Sequence, residues 1–129
     1  MVSILALAGP AQAQAHAPKG RDRLVGHFTG EGCQPDGPCW TIDIVIDWPL
    51  EDEVVTGRIA YPSLRCDARL EFVRWERDTA VFRERYVHQG PCVPDGWLRL
   101  RPTDVQRLEF VWAWPSGTVD SRSSVRRSP

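Results

Sequence analysis

Trp40-Thr41-Ile42-Asp43-Ile44-Val45-Ile46-Asp47-Trp48 is the stretch on which the fold class turns. Its large apolar residues recur at every second position, Trp40, Ile42, Ile44, Ile46 and Trp48, while Thr41, Asp43, Val45 and Asp47 occupy the other phase. Alternate side chains of a strand leave on opposite faces, so the segment reads as one half-buried β-strand with Asp43 and Asp47 toward solvent. The turn Pro49-Leu50-Glu51-Asp52-Glu53 sends the chain back into a second strand, Val54 to Tyr61, with Val55, Gly57, Ile59 and Tyr61 on the inner phase.

The same rhythm continues on both sides. Leu24 to Thr29 reads as a strand before it, and a hairpin follows, Asp67 to Glu76 and Ala80 to His88, joined through Arg77-Asp78. Leu70, Phe72, Ala80, Phe82 and Tyr86 read inward on its two arms. Gly96 to Arg101 and Val105 to Trp114 form the next pair, the second carrying Leu108, Phe110, Trp112 and Trp114 in alternation, and Thr118 to Val125 is the last strand. Eight short strands in meander order predict an all-β fold, a small antiparallel up-and-down β-barrel of seven or eight strands, with a two-sheet sandwich as the alternative. Closure is favoured because it removes exposed sheet edges. Gly26 and Gly57 are expected at bends or bulges.

A chain of 129 residues suffices for one small domain and is too short for a doubly wound α/β enzyme of ordinary size. Sixteen basic and 17 acidic side chains give a formal net charge of -1, so there is no overall basic field for nucleic acid or anionic lipid. The basic run Arg122-Ser123-Ser124-Val125-Arg126-Arg127 reads as a solvated terminus. No stretch approaches 18 consecutive apolar residues, so no transmembrane segment is expected. Residues 1–15 join a short apolar run, Val2 to Ala8, to small residues at alternate positions, which suits a signal-peptide remnant or truncated leader cut after Ala13 or Ala15. The expected organisation is that leader, a single barrel domain over 20–125 and a flexible tail over 126–129. An even count of four cysteines agrees with an oxidising compartment, hence a secreted, periplasmic or cell-envelope location.

Four cysteines allow three pairings. With Arg77-Asp78 at the turn centre, Cys66 lies opposite residue 89 and close to Cys92, so a Cys66–Cys92 bridge would tie the open end of that hairpin. Cys33 and Cys39 would then close the loop between them. The competing geometry is Cys39–Cys66, because the turn at Glu51-Asp52 brings Cys39 near residue 63. Zinc is disfavoured, since spacings of Cys33-x5-Cys39 and Cys66-x25-Cys92 contain no Cys-x-x-Cys knuckle.

Tyr61-Pro62-Ser63-Leu64-Arg65-Cys66, followed by Phe82-Arg83-Glu84, then Gly90-Pro91-Cys92-Val93 and Phe110 with Trp112, resembles a Tyr-Pro-Ser-Leu-Gly-Cys module of exported or membrane-attached actinobacterial proteins. The resemblance runs from about Gly57 to Val125, and Arg65 stands where that module carries glycine. It implies a disulfide between the two cysteines and no particular activity. Leu24-Val25-Gly26-His27-Phe28-Thr29-Gly30 is similar to the first strand of lipocalin-like and avidin-like barrels, with Phe28 in place of their tryptophan. That similarity implies a barrel whose first strand packs at the closed end.

Glu84 is the most informative polar residue, because it shares the inner phase with Phe82 and Tyr86 and a carboxylate there needs a partner or an open cavity. Arg74 falls on the apolar phase of the facing arm, so an Arg74–Glu84 ion pair near one barrel mouth is the expected structural role, with ligand contact as its rival. Trp97 falls on the outer face beside Arg99 and, with Trp48, is a candidate for contact with a ligand or protein partner. His27 and His88 lack a local motif, and Ser63 lacks the Gly-x-Ser-x-Gly elbow of a hydrolase. No cofactor or metal motif is present in the sequence. The reading is an exported, non-catalytic binding or protein-interaction module, with a protein partner or small hydrophobic ligand. The alternative is a small barrel enzyme or carrier for a hydrophobic molecule, using Glu84 with His27 or His88 for proton transfer.

Overall fold

A computed structural model describes residues 21–47, 54–88 and 91–129. A short helix α1 (Arg21–Leu24) precedes eight strands: β1 (Gly26–Cys33), β2 (Cys39–Ile46), β3 (Val54–Tyr61), β4 (Cys66–Glu76), β5 (Thr79–His88), β6 (Trp97–Asp104), β7 (Arg107–Ala113) and β8 (Val119–Arg127). A 3-10 turn, η1 (Pro62–Leu64), links β3 to β4. Each strand pairs antiparallel with the next, and β8 returns to β1 through Phe28↔Arg127, Thr29↔Arg126 and Gly30↔Val125. The sheet is therefore a closed up-and-down barrel rather than a sandwich.

The period-two residues fill its lumen. Ile42, Ile44 and Ile46 of β2, Leu70 and Phe72 of β4, Phe82 of β5, Leu98 and Leu100 of β6, and Leu108 and Phe110 of β7 are all buried. At one pole, Leu24 of α1 is fully buried and the helix reaches β6, closing that end under the first strand. Leu24 is thus helical, and the first strand starts at Gly26 and runs on to Cys33 instead of spanning Leu24 to Thr29. Gly26 has a φ of 136°, a conformation costly for other residues, and a Cβ there would lie 2.5 Å from the Arg127 guanidinium.

Arg126 and Arg127, expected in a flexible tail, are strand residues. Arg127 donates to the carbonyls of Val25 at 2.8 Å, Arg23 at 2.8 Å and Val105 at 3.3 Å, and its guanidinium lies 4.7 Å from the Phe28 ring centre. The backbone of β8 pairs on both sides, so its basic residues continue the sheet.

Both disulfides match the hairpin reading, Cys33–Cys39 across β1 and β2 and Cys66–Cys92 between β4 and the β5–β6 loop. Both stand at the pole opposite α1. Arg65, at the end of η1, has φ 57° and ψ 40°, left-handed values that glycine adopts freely and arginine does not. This is the position at which the resembled module has glycine.

Two stability outcomes follow from these features. Urea unfolding of Arg65→Gly should show a gain of about 0.5–1 kcal/mol, and a loss would mean that the arginine side chain holds the turn. Replacing Cys66 and Cys92 by alanine should cost about 3.5 kcal/mol, against about 2 kcal/mol for Cys33 and Cys39, because the crosslinked separations are 26 and 6 residues. The reverse order would show that strain, not chain closure, governs the two crosslinks.

Candidate functional site

The pole opposite α1 is a mouth, where the β1–β2, β3–β4, β5–β6 and β7–β8 connections meet. It holds a cavity of about 140 Å³, walled by Trp40, Tyr61, Leu64, Phe110, Trp112 and Trp114, with Pro91, Cys92 and Val93 on one side and Gln34 and Asp120 at the rim. Glu84 lines it too and is only 2% exposed. The cavity has the size of an apolar site for one small aromatic molecule.

Sequence phase places Glu84 inward: it follows Phe82 by two residues on β5 and pairs laterally with Leu70 of β4. Its carboxylate is held from across the lumen. The Tyr61 hydroxyl, at the end of β3, donates to Oε2 at 2.5 Å, and the Trp112 indole N–H, on β7, donates to Oε1 at 3.0 Å. Gly96 makes the second bond attainable, since a Cβ there would lie 2.6 Å from the Trp112 ring. The Gly96 carbonyl also accepts the Glu84 backbone N–H at 3.0 Å, fixing β5 against the same residue.

Burial pushes the Glu84 carboxyl up to about 7, although the hydrogen bonds from Tyr61 and Trp112 favour the anion. Tyr61 is held well above its usual range, first by burial, then by the Glu84 charge and by its hydrogen bond to that carboxylate. At the rim, Asp120 accepts from Trp114 Nε1 at 3.1 Å and from Gln34 Nε2 at 3.3 Å. The Trp112 and Trp114 rings meet edge to face with centres 5.1 Å apart. Among the described residues, no arginine, lysine or histidine lines the cavity.

The expected Arg74–Glu84 pair does not form. A bulge between Phe72 and Arg74 shifts the β4–β5 register, so Phe72 faces Phe82 while Arg74 faces Val81. The extra residue reverses the phase beyond it: Trp75 packs against the core and Arg74 is exposed. Arg74 instead donates to Glu76 at 2.8 Å, and Arg99 donates to the same carboxylate at 3.0 Å, which holds the Glu76 carboxyl below its usual value. Trp97 also lies on the outer wall, with the Arg83 guanidinium 3.6 Å from its ring centre. Arg74, Trp97 and Arg99 therefore gather outside the barrel and Glu84 inside it. Trp48 lies outside the described residues.

His27 pairs with Asp43 at 2.7 Å and His88 with Asp67 at 3.2 Å, all four exposed or half-exposed. Neither histidine lines the cavity with Glu84, so that proton-transfer arrangement is not assembled. Cys33 and Cys39 lie beside Glu31 but are bonded to one another, leaving no thiolate pair for an ion. Sequence reasoning missed the roles of Tyr61 and Trp112, which it treated as core. The available signal was that Tyr61 ends the inner-phase run of its strand and Trp112 stands last but one in the Leu108, Phe110, Trp112, Trp114 run, toward the same end as the Cys66–Cys92 crosslink. No protein-family model matches this chain, and no curated protein matches it in sequence.

The raised Glu84 value makes a pH dependence. The carboxyl titrates near its ordinary 4.5 when unfolded and near 7 when folded, so the folded state keeps its proton longer. Its contribution is present in full below about 4.5 and is lost as pH rises through about 7. Relative to Glu84→Gln, the wild type should lose about 3 kcal/mol between about pH 4 and about pH 8 in urea unfolding, and Arg74→Met should keep that slope. A flat difference would reject a buried, titrating Glu84.

Proposed function

We propose that this chain is an exported, non-catalytic binding module that holds a small, mainly apolar molecule in the barrel mouth. The observation that carries the reading is the aromatic cavity built around one buried carboxylate, whose two protein partners, Tyr61 and Trp112, are neutral donors. Concave, largely apolar sites with a few convergent polar groups are the usual form of small-molecule pockets. The two disulfides support folding in an oxidising compartment. The resemblance to exported actinobacterial modules points the same way.

The outer wall is the weaker candidate for a contact. Arg83 covers Trp97, while Arg74 and Arg99 share Glu76, so these groups already satisfy one another. An enzyme acting on an apolar molecule in the mouth would rely on Glu84 and Tyr61 as its ionisable interior groups, because His27 and His88 stand elsewhere. A titratable carboxyl alone also serves binding, and among the described residues no histidine stands beside Glu84 as a proton-transfer partner.

Titration with benzyl alcohol, followed by the indole N–H resonances, should move Trp112 saturably and leave Trp97 in place. Leu64→Trp, which narrows the mouth, should abolish the shift while preserving the rest of the spectrum. Saturable movement of Trp97 without Trp112 would transfer the site to the outer wall and sink the mouth reading.

A further inference from the structure

We propose that the mouth selects a small organic cation, an aromatic or alkyl ammonium whose charged head meets Glu84 and whose apolar body lies among Trp40, Phe110 and Trp112. The inference rests on the binding reading above and adds the charge class of the ligand. Four features carry it.

The first is the unused capacity of Glu84. A carboxylate offers about four lone-pair directions, and among the described residues Glu84 accepts only the Tyr61 hydroxyl and the Trp112 indole. The remaining directions belong to a group 2% exposed at the inner end of the mouth cavity it lines. Water reaches it poorly, and an ammonium N–H supplies the missing donors in charge-assisted form.

The second is the sign of the site. The chain carries 16 lysine and arginine residues, yet none of the described ones lines the cavity. The ionisable side chains facing Glu84 across it are Tyr61 from β3 and Asp120 from β8; β7 contributes Phe110 and Trp112, the β7–β8 turn contributes Trp114, η1 contributes Leu64, and residues 91–93 contribute no ionisable group. Arg83 and Arg85 of β5 point away, to Trp97 and the Asp95 carbonyl and to Glu71 and Asp95 respectively. A fatty acid or other anion would meet carboxylates and no cation.

The third is the wall. Indole and phenol faces attract cations through their quadrupoles, and the attraction strengthens where water is excluded. The fourth is geometric: Tyr61 and Trp112 direct their polar hydrogens to Glu84 and so keep it in place while their rings form the wall. One pair of side chains both holds the anion and supplies aromatic wall beside it.

Ligand binding also has to act on the Glu84 proton. A cation binds the ionised carboxylate, so its affinity rises with pH through the range in which Glu84 ionises, and a neutral ligand lacks that dependence. Benzylammonium, benzyl alcohol and benzoate are matched probes of nearly one shape and three charges, and benzylammonium stays protonated over the range used. Their dissociation constants should be read from the Trp112 indole shift.

Near pH 8, benzylammonium should bind about tenfold or more tighter than benzyl alcohol, and benzoate should not compete. Glu84→Gln should bring benzylammonium to within about twofold of the alcohol. If that variant does not fold, the wild type decides alone: the advantage should shrink about tenfold or more between about pH 8 and about pH 5.5. Benzyl alcohol binding as tightly as benzylammonium near pH 8, or an advantage indifferent to pH, overturns the cation inference and leaves the mouth as a site for neutral molecules. Silence of Trp112 toward all three probes overturns both this inference and the binding reading beneath it.

Discussion

Phe28, Thr29 and Gly30 of β1 pair with Arg127, Arg126 and Val125 of β8, and this seam turns a row of hairpins into a ring. A ring has one inside, so the inward residues of all eight strands share a single narrow lumen. Toward α1 that lumen is packed with phenylalanine, leucine and isoleucine, and Leu24 plugs its end. Toward the other pole the alternation continues but the chemistry changes. Tyr61, Glu84 and Trp112 occupy the positions where β3, β5 and β7 run out of aliphatic side chains.

That substitution is physically coherent. An isolated carboxylate in an apolar barrel is costly, and tyrosine and tryptophan offset the cost without introducing another charge. Each presents one polar hydrogen and a broad apolar face, so the interior remains mostly apolar while the carboxylate keeps two partners. The three residues belong to alternate strands, and their bonds cross the lumen instead of running along the sheet. The walls of the mouth are therefore tied together through a single group, whose carboxyl burial has raised to about 7.

The strands were legible because a period of two survives any detail of turn or twist, as Ile42, Ile44 and Ile46 show. The cysteine pairing was legible for a related reason: a hairpin with a two-residue turn fixes which positions meet at its open end, here Cys66 and Cys92. Arg74 was misplaced because phase counting assumes an unbroken ladder, and one bulged residue moves everything beyond it to the other face. The partners of Glu84 were not legible for a third reason. They reach it across the barrel, a relation set by the curvature of the closed sheet, whereas alternation reports only which face a side chain leaves. Alternation did separate the rings of the mouth, Trp40, Trp112 and Trp114, from Trp97 on the outer wall, because that distinction is one of face alone.

The bonds from Arg127 to the carbonyls of Arg23 and Val25 bring the first and last described segments to one pole, the one that α1 closes. Arg23 and Arg127 both stand on the side facing away from the cavity. A tether, a fused domain or a surface anchor attached there would orient the barrel like a cup on a stem, its opening directed at the surrounding medium. The same proximity means that a short peptide could join the two segments and a new break could be made elsewhere, in the exposed turn at Arg77-Asp78, without disturbing the rim.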